Sequence, residues 1–318
     1  MSQTAAREKP GTLPGSSGFC RDLIAGLRLS PKTVWPKYFY DDAGSALFDA
    51  ICGLPEYYPT RKETALLTRH GAAIAAQIGP DVEIIEFGAG SVIKIRHLFD
   101  TLDSPRRFTP IDISGAHLHA SAAILRADYP GIEIRPVIAD FTQPLALPIR
   151  DDARRVGFFP GSSIGNFTPA EALAFLTRLT GVLRGGGLLI AVDLIKDPAI
   201  LHAAYNDAAG VTAQFNLNLL ARANRELGAD FDLDGFVHYA FYHPVLNRIE
   251  MHLLSRRDQS VRICDEVFEF REGESIHTEC SYKYSVASFQ ALAQAAGFTP
   301  VDVWEDGWMS VHWLELRD

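Results

Sequence analysis

Acidic residues and glycines stand at the ends of successive apolar runs, and their placement is the first sign of chemistry in the chain. In "EIIEFGAGSVIK" (residues 83–94) an apolar run carries Glu86 near its end, and Gly88 and Gly90 follow before a helical pattern begins with Lys94 in its first turn. Asp112 ends the next run, "RFTPIDI", and Asp140 with Phe141 follows "IEIRPVIA". Open α/β sheets bind ligands beyond the carboxyl ends of their strands, so these side chains are placed to meet one ligand.

A dinucleotide fingerprint needs a third glycine where this chain has Ile93. Asp112 stands where a carboxylate meets ribose hydroxyls, and Asp140 with Phe141 offers a purine an acceptor and an aromatic face. A ligand with ribose and adenine but no phosphate fits this set. S-adenosylmethionine is such a ligand, and its cationic sulfonium favours acids over a phosphate cradle. NAD is the second reading. A rival chemistry sits in "GSSIG" (residues 161–165), which satisfies the GxSxG spacing of a hydrolase with Ser163 as nucleophile. That elbow needs a helix at once, whereas Pro160 precedes the motif and "NFTP" follows it.

Alternating short apolar runs and helical segments between Glu83 and Asp193 are what position these acids. This pattern predicts an α/β fold, doubly wound around a mostly parallel sheet. Before it, "FCRDLIAGLRL", "SALFDAICGL" and "TRKETALLTRHGAAIAAQI" read as helices; after it, one helical stretch precedes strands such as "RIEMHLLSRR" and "ESIHTECSYKYS". "PVDVWED" and "WMSVHWLEL" form a terminal hairpin at the sheet edge. The expected division is a flexible tail over 1–18, a ligand-binding domain over 60–196 and 286–318, and a smaller α+β substrate domain over 19–59 and 197–285.

The 318 residues carry a net charge of −9, which argues against a nucleic-acid partner. No apolar run approaches the roughly 20 residues of a membrane span, and no secretory signal opens the chain. Cys20, Cys52, Cys264 and Cys280 are scattered, which reads as reduced thiols in a cytoplasmic protein, with neither disulfide framework nor zinc site. His117 with His119, or His243 with His252, makes no convincing metal spacing, so no metal is expected.

Longer motifs sharpen the reading. "KYFYDDAGSALFDAICGLPEYYPTRKE", "EFGAGS", "PIDIS", "ADF", "GSSIGNFTP", "AYNDAAGVTAQFN", "NRELGADFDLDGF", "RIEM" and "TECSYKY" occur in this order. From about Leu29 to the C-terminus the chain resembles the L-histidine Nα-methyltransferases of ergothioneine biosynthesis. The resemblance implies a class I, Rossmann-like methyltransferase that converts L-histidine to its betaine, hercynine, with three molecules of S-adenosylmethionine. It implies that Tyr57, Asn166 and Tyr205 hold the amine and carboxylate, with Tyr40 beside them and Tyr40 and Asn166 as the catalytic candidates. Glu279 and Ser281 would bind the imidazole with Met251 alongside, and Gly88, Lys94, Asp112, Asp140 and Phe141 would hold the methyl donor. One departure is "GAG", with Ala89 where relatives carry serine. A cytoplasmic monomer is expected.

These types suit the chemistry. Methyl transfer is an in-line displacement by a neutral amine, and positioning alone is worth up to roughly 7–11 kcal/mol. A carboxylate touching the amine would favour the ammonium, whereas tyrosine hydroxyls and an amide orient it without that cost. Hydrogen-bonded pairing of both ring nitrogens discriminates by ~10⁴–10⁵. Taken singly, each residue has a plain packing role: a buried tyrosine, a core methionine, a solvated lysine. Three other functions stay open: the same chemistry on another amino acid or small amine, a non-catalytic ligand sensor, and a nucleic-acid methyltransferase, the last opposed by the acidic balance.

Overall fold

A computed structural model describes residues 16–90, 92–145, 147, 153–183 and 185–316. The chain opens with α1 (Ser16–Leu27), β1 (Lys32–Thr33), α2 (Asp42–Cys52) and the long α3 (Tyr58–Ile78). Asp41 starts α2 by accepting the Gly44 N–H at 2.7 Å. Ser16–Gly18 thus belong to a helix and not to the expected tail, whose residues 1–15 lie outside the described ones.

The alternating region gives β2 (Glu83–Phe87), α4 (Val92–Phe99), β3 (Arg107–Asp112), α5 (Gly115–Asp128), β4 (Glu133–Ile134), β5 (Val137–Ile138), β6 (Arg155–Phe159), α6 (Pro169–Val182) and β7 (Gly187–Asp193). Pro136 separates β4 from β5, since it has no N–H to give a ladder. The stretch read as one helix after Asp197 is two, α7 (Pro198–Tyr205) and α8 (Val211–Leu227). Asp207 ends the first reading: its carboxylate accepts the N–H groups of Val211 and Thr212, each at 2.8 Å, and caps α8. Then come β8 (Phe236–His243), β9 (Arg248–Ser255), β10 (Gln259–Ile263), β11 (Glu266–Phe270), β12 (Ser275–Tyr282), α9 (Val286–Ala295), β13 (Thr299–Glu305) and β14 (Met309–Glu315).

The larger sheet runs β13-β14-β7-β6-β2-β3-β4, with β5 also on β3; its centre is parallel and the terminal hairpin is antiparallel. Every residue of β2 and β7 is buried, as a sheet covered on both faces requires. Alternate side chains feed the two cores: Ile84 with Leu189 on one side, Ile85 and Phe87 with Leu188 and Ile190 on the other. Strand order reverses between β2 and β6, which opens a crevice at their carboxyl ends.

A second sheet runs β1-β12-β9-β8. Its inner face presents Ile249, Met251 and Leu253 to the core. The register of β12 on β9 shifts between His277 and Glu279, leaving Thr278 as the extra residue of a bulge. Because of that bulge His277 pairs with His252 while Glu279 pairs with Met251. Two residues that simple alternation would put on one face therefore lie beside partners on opposite faces. Cys20 in α1 and Cys264 between β10 and β11 are joined as a disulfide, against the expectation of reduced thiols; they are 244 residues apart, so no local spacing announces the pair.

Candidate active site

Where the two sheets meet, one cavity is lined by Tyr40, Tyr57, Asn166, Tyr205, Met251, Glu279 and Ser281. Tyr40 follows a short helical turn at Pro36–Phe39, Tyr57 precedes α3, and Asn166 closes a turn at Ser163–Asn166 after β6. Tyr205 ends α7, Met251 lies on β9, and Glu279 and Ser281 lie on β12. Elements far apart in sequence thus deliver all the substrate-side candidates to one place. Phe48 and Phe215 pack on Tyr40, each with ring centroids 5.8 Å away, and fix its ring.

Burial pushes the Tyr40 and Tyr57 hydroxyls well above their ordinary pKa, so both stay neutral. Burial also raises the Glu279 carboxyl to about 7, with Lys283 working against the rise. Lys283 itself is fully buried among these groups: its Nζ donates to Ser281 Oγ at 2.7 Å and Tyr205 Oη at 3.3 Å, and pairs with Asp193 at 2.8 Å. Asp193 also accepts from Tyr58 Oη at 2.6 and 2.8 Å and pairs with Lys196. Burial alone would raise the Asp193 carboxyl; the two ammoniums overcome it and hold it low. The sequence reading missed Lys283, although its place two residues beyond Ser281 on an apolar strand end was a signal.

The residues expected to hold the methyl donor lie around the β2 turn. Gly88 takes φ 80°, where a side chain is strained, and a Cβ there would sit 3.4 Å from the Phe141 ring. Asp112 ends β3 and accepts the Ser114 N–H at 2.8 Å; burial raises its pKa. Asp140 accepts the Thr142 N–H at 2.9 Å and lies 3.7 Å from Lys37. Lys94 is not a free cation: its Nζ pairs at 2.6 Å with the fully buried Glu63. Glu63 also accepts the Gly161 N–H at 3.0 and 3.1 Å, so this pair shapes the turn between the donor crevice and the amino-acid cavity. Glu86 is buried, with Oε2 lacking any protein partner among the described residues, and burial pushes its pKa well up.

The hydrolase reading does not survive. Ser163 Oγ donates to the Pro160 carbonyl at 3.1 Å, and a short 3-10 turn follows it in place of an α-helix. Positive φ falls on Gly161 and Ser162 and not on Ser163, and the Ser162 hydroxyl accepts the Asp193 N–H at 2.8 Å.

The strand order and the acids at the strand ends define a class I methyltransferase fold. Residues 19–316 match the family described as histidine-specific methyltransferase, SAM-dependent, and the chain belongs to that family. It is 44% identical to a histidine N-alpha-methyltransferase of Mycobacterium tuberculosis and 45% identical to one of Mycolicibacterium smegmatis, each alignment covering 90% of both chains. An N-methyltransferase of Aspergillus fumigatus is 30% identical over 89% of this chain and 79% of its own.

Proposed function

We propose that this chain methylates the α-amine of L-histidine three times, giving hercynine, the first step of ergothioneine biosynthesis. The observation that carries the reading is the single cavity that gathers three tyrosines and Asn166 opposite Met251, Glu279 and Ser281. Hydroxyls and an amide suit an α-amino acid head, and a carboxyl with a hydroxyl suits the two nitrogens of an imidazole.

The donor-side residues fit S-adenosylmethionine. The unpartnered Glu86 oxygen suits an ammonium, Asp112 suits ribose hydroxyls, and Gly88 leaves room beside Phe141 for a flat purine near Asp140. When bound, S-adenosylmethionine supplies an electrophilic methyl on a sulfonium. Lys94 contributes through Glu63 and the Gly161 turn.

On the substrate side, Tyr57, Asn166 and Tyr205 hold the amine and carboxylate, and Tyr40 with Asn166 aims the amine lone pair. Neutral hydroxyls do not stabilise the ammonium. Glu279 and Ser281 take the ring nitrogens, so side chains without a matching donor and acceptor leave buried polar groups unpaired.

The division into a donor half (60–196 and 286–318) and a substrate half (19–59 and 197–285) belongs to the same reading. So do a monomeric state and a cytoplasmic location. The charge of −9 supports the absence of a nucleic-acid partner, and no helix among the described residues is long and apolar enough to cross a membrane. Mass spectrometry of L-histidine incubated with the protein and excess S-adenosylmethionine tests the reading. Trimethylation of histidine alone supports it; a different methylated amino acid from a mixed pool overturns the substrate, and no product at all points to a sensor.

A further inference from the structure

The outer face of the β12-β9-β8 sheet carries a group of side chains that the methylation chemistry leaves unused. Glu250 and His252 of β9 and His277 of β12 each turn one ligand atom toward the others, all within 4.8 Å. His252 and His277 are direct cross-strand partners with ring centroids 5.0 Å apart. The bulge at Thr278 makes this possible, by sending His277 to the outer face while Glu279 faces the amino-acid cavity.

Hydrogen bonding accounts for part of the cluster only. His252 Nε2 lies 3.1 Å from Glu250 Oε2. His277 Nε2, by contrast, is buried with no hydrogen-bond partner among the described residues, an arrangement that is unfavourable while nothing occupies it. The supporting contacts have the form that metal sites use. His252 Nδ1 is 3.2 Å from Ser275 Oγ. Glu250 Oε1 accepts from Arg248 Nε at 2.8 Å and Nη2 at 2.6 Å, which leaves Oε2 to face the histidines. Ligating imidazoles and carboxylates typically have their second atoms fixed in this way.

We propose that Glu250, His252 and His277 form a site for a divalent transition-metal ion of the zinc type, on the reverse side of the strands that carry Met251 and Glu279. Two imidazoles and one carboxylate select zinc, cobalt, nickel or copper over magnesium and calcium, and three protein ligands leave a further position for water. Arg248 orients the carboxylate and its charge also weakens the hold on a dication, so the site is exchangeable. The side chains of His252 and Glu250 are 12% and 11% exposed, enough for entry from solvent.

The test is a Co²⁺ titration of untagged, metal-stripped protein, followed by visible d–d absorption. One equivalent is expected to bind, and Zn²⁺ is expected to bleach the signal. His277→Ala and, as a variant that keeps bulk and polarity, His277→Gln should each weaken binding by more than the ~10–100-fold typical of outer-shell changes. His243→Ala, on the neighbouring strand, should leave it unchanged. Zn²⁺ should also raise the melting temperature of the wild-type protein and not that of His277→Gln. Absence of a d–d signal at tenfold excess of Co²⁺, or an unchanged signal in either His277 variant, overturns the proposal.

Discussion

The two halves of the active site handle charge in opposite ways. On the donor side, carboxylates stand at strand ends around a glycine turn, and Glu86 Oε2 is left without a hydrogen-bond partner among the described residues. On the amino-acid side the groups near the reacting nitrogen are neutral hydroxyls and an amide, and the buried charges are paired with each other below them. In the function proposed above, a cationic donor is held by charge and an amine that must lose its proton is held without it. The difference teaches that burial serves two ends here: it keeps tyrosines protonated in one half and keeps an acid waiting for a cation in the other.

Substitutions can break this contrast. The largest effect is expected from Glu279→Ala, which should cost on the order of 10²–10³ in the preference for histidine over other amino acids. Its affinity for the methyl donor should hold; equilibrium binding of both ligands checks it, and unchanged histidine affinity removes Glu279 from the pocket. Asn166→Ala should lower kcat/KM for histidine by about 10², as misaimed reactants do, with little change in donor binding. Asp112→Ala should do the reverse, weakening the donor by ~10-fold or more and sparing histidine affinity, as calorimetry with each ligand would reveal.

The pH profile sharpens the same point. Tyr40 and Tyr57 titrate far above neutrality and Glu279, at about 7, acts at the imidazole end, so at saturating histidine the rate should follow the substrate amine and climb up to about tenfold per pH unit until that amine is deprotonated. A profile flat from pH 6 to 9, with the chemical step limiting, contradicts it. The smallest effect concerns stability. The Glu86 carboxyl has a folded pKa raised by burial, so its contribution is fully present below the unfolded value of 4.5 and is lost as pH rises through the folded one. Ligand-free Glu86→Gln should therefore melt a few degrees higher than wild type at pH 8, and the gap should close toward pH 4.5. An equal gap at both pH values would mean that Glu86 is not buried in its charged form.

How much of this could be read beforehand depends on range. The turn at Gly88, the acids Asp112 and Asp140 and the alternating elements were legible because each is a local pattern of a few residues. The seven lining residues became legible together only through long motifs resembling one family. What stayed hidden is made by contacts across the chain: Glu63 reaches Gly161, Lys283 reaches Asp193, and Cys20 reaches Cys264. The Thr278 bulge was hidden for another reason, since an extra residue interrupts the two-residue rhythm on which strand reading rests.

The Asp193–Lys283 pair has a consequence for anyone wishing to recombine this enzyme with its relatives. Asp193 closes the last parallel strand of one sheet, and Lys283 follows β12 of the other, with Leu194 and Tyr284 bridged beside them. Removing one partner of a buried ion pair typically costs about 3–5 kcal/mol, a large share of a domain's stability. A chimera that imports a foreign substrate half must therefore import a matching cation, or leave the native carboxylate with Lys196 as its one remaining ammonium. Grafting should succeed when the exchange point keeps both residues from one parent and fail when it divides them.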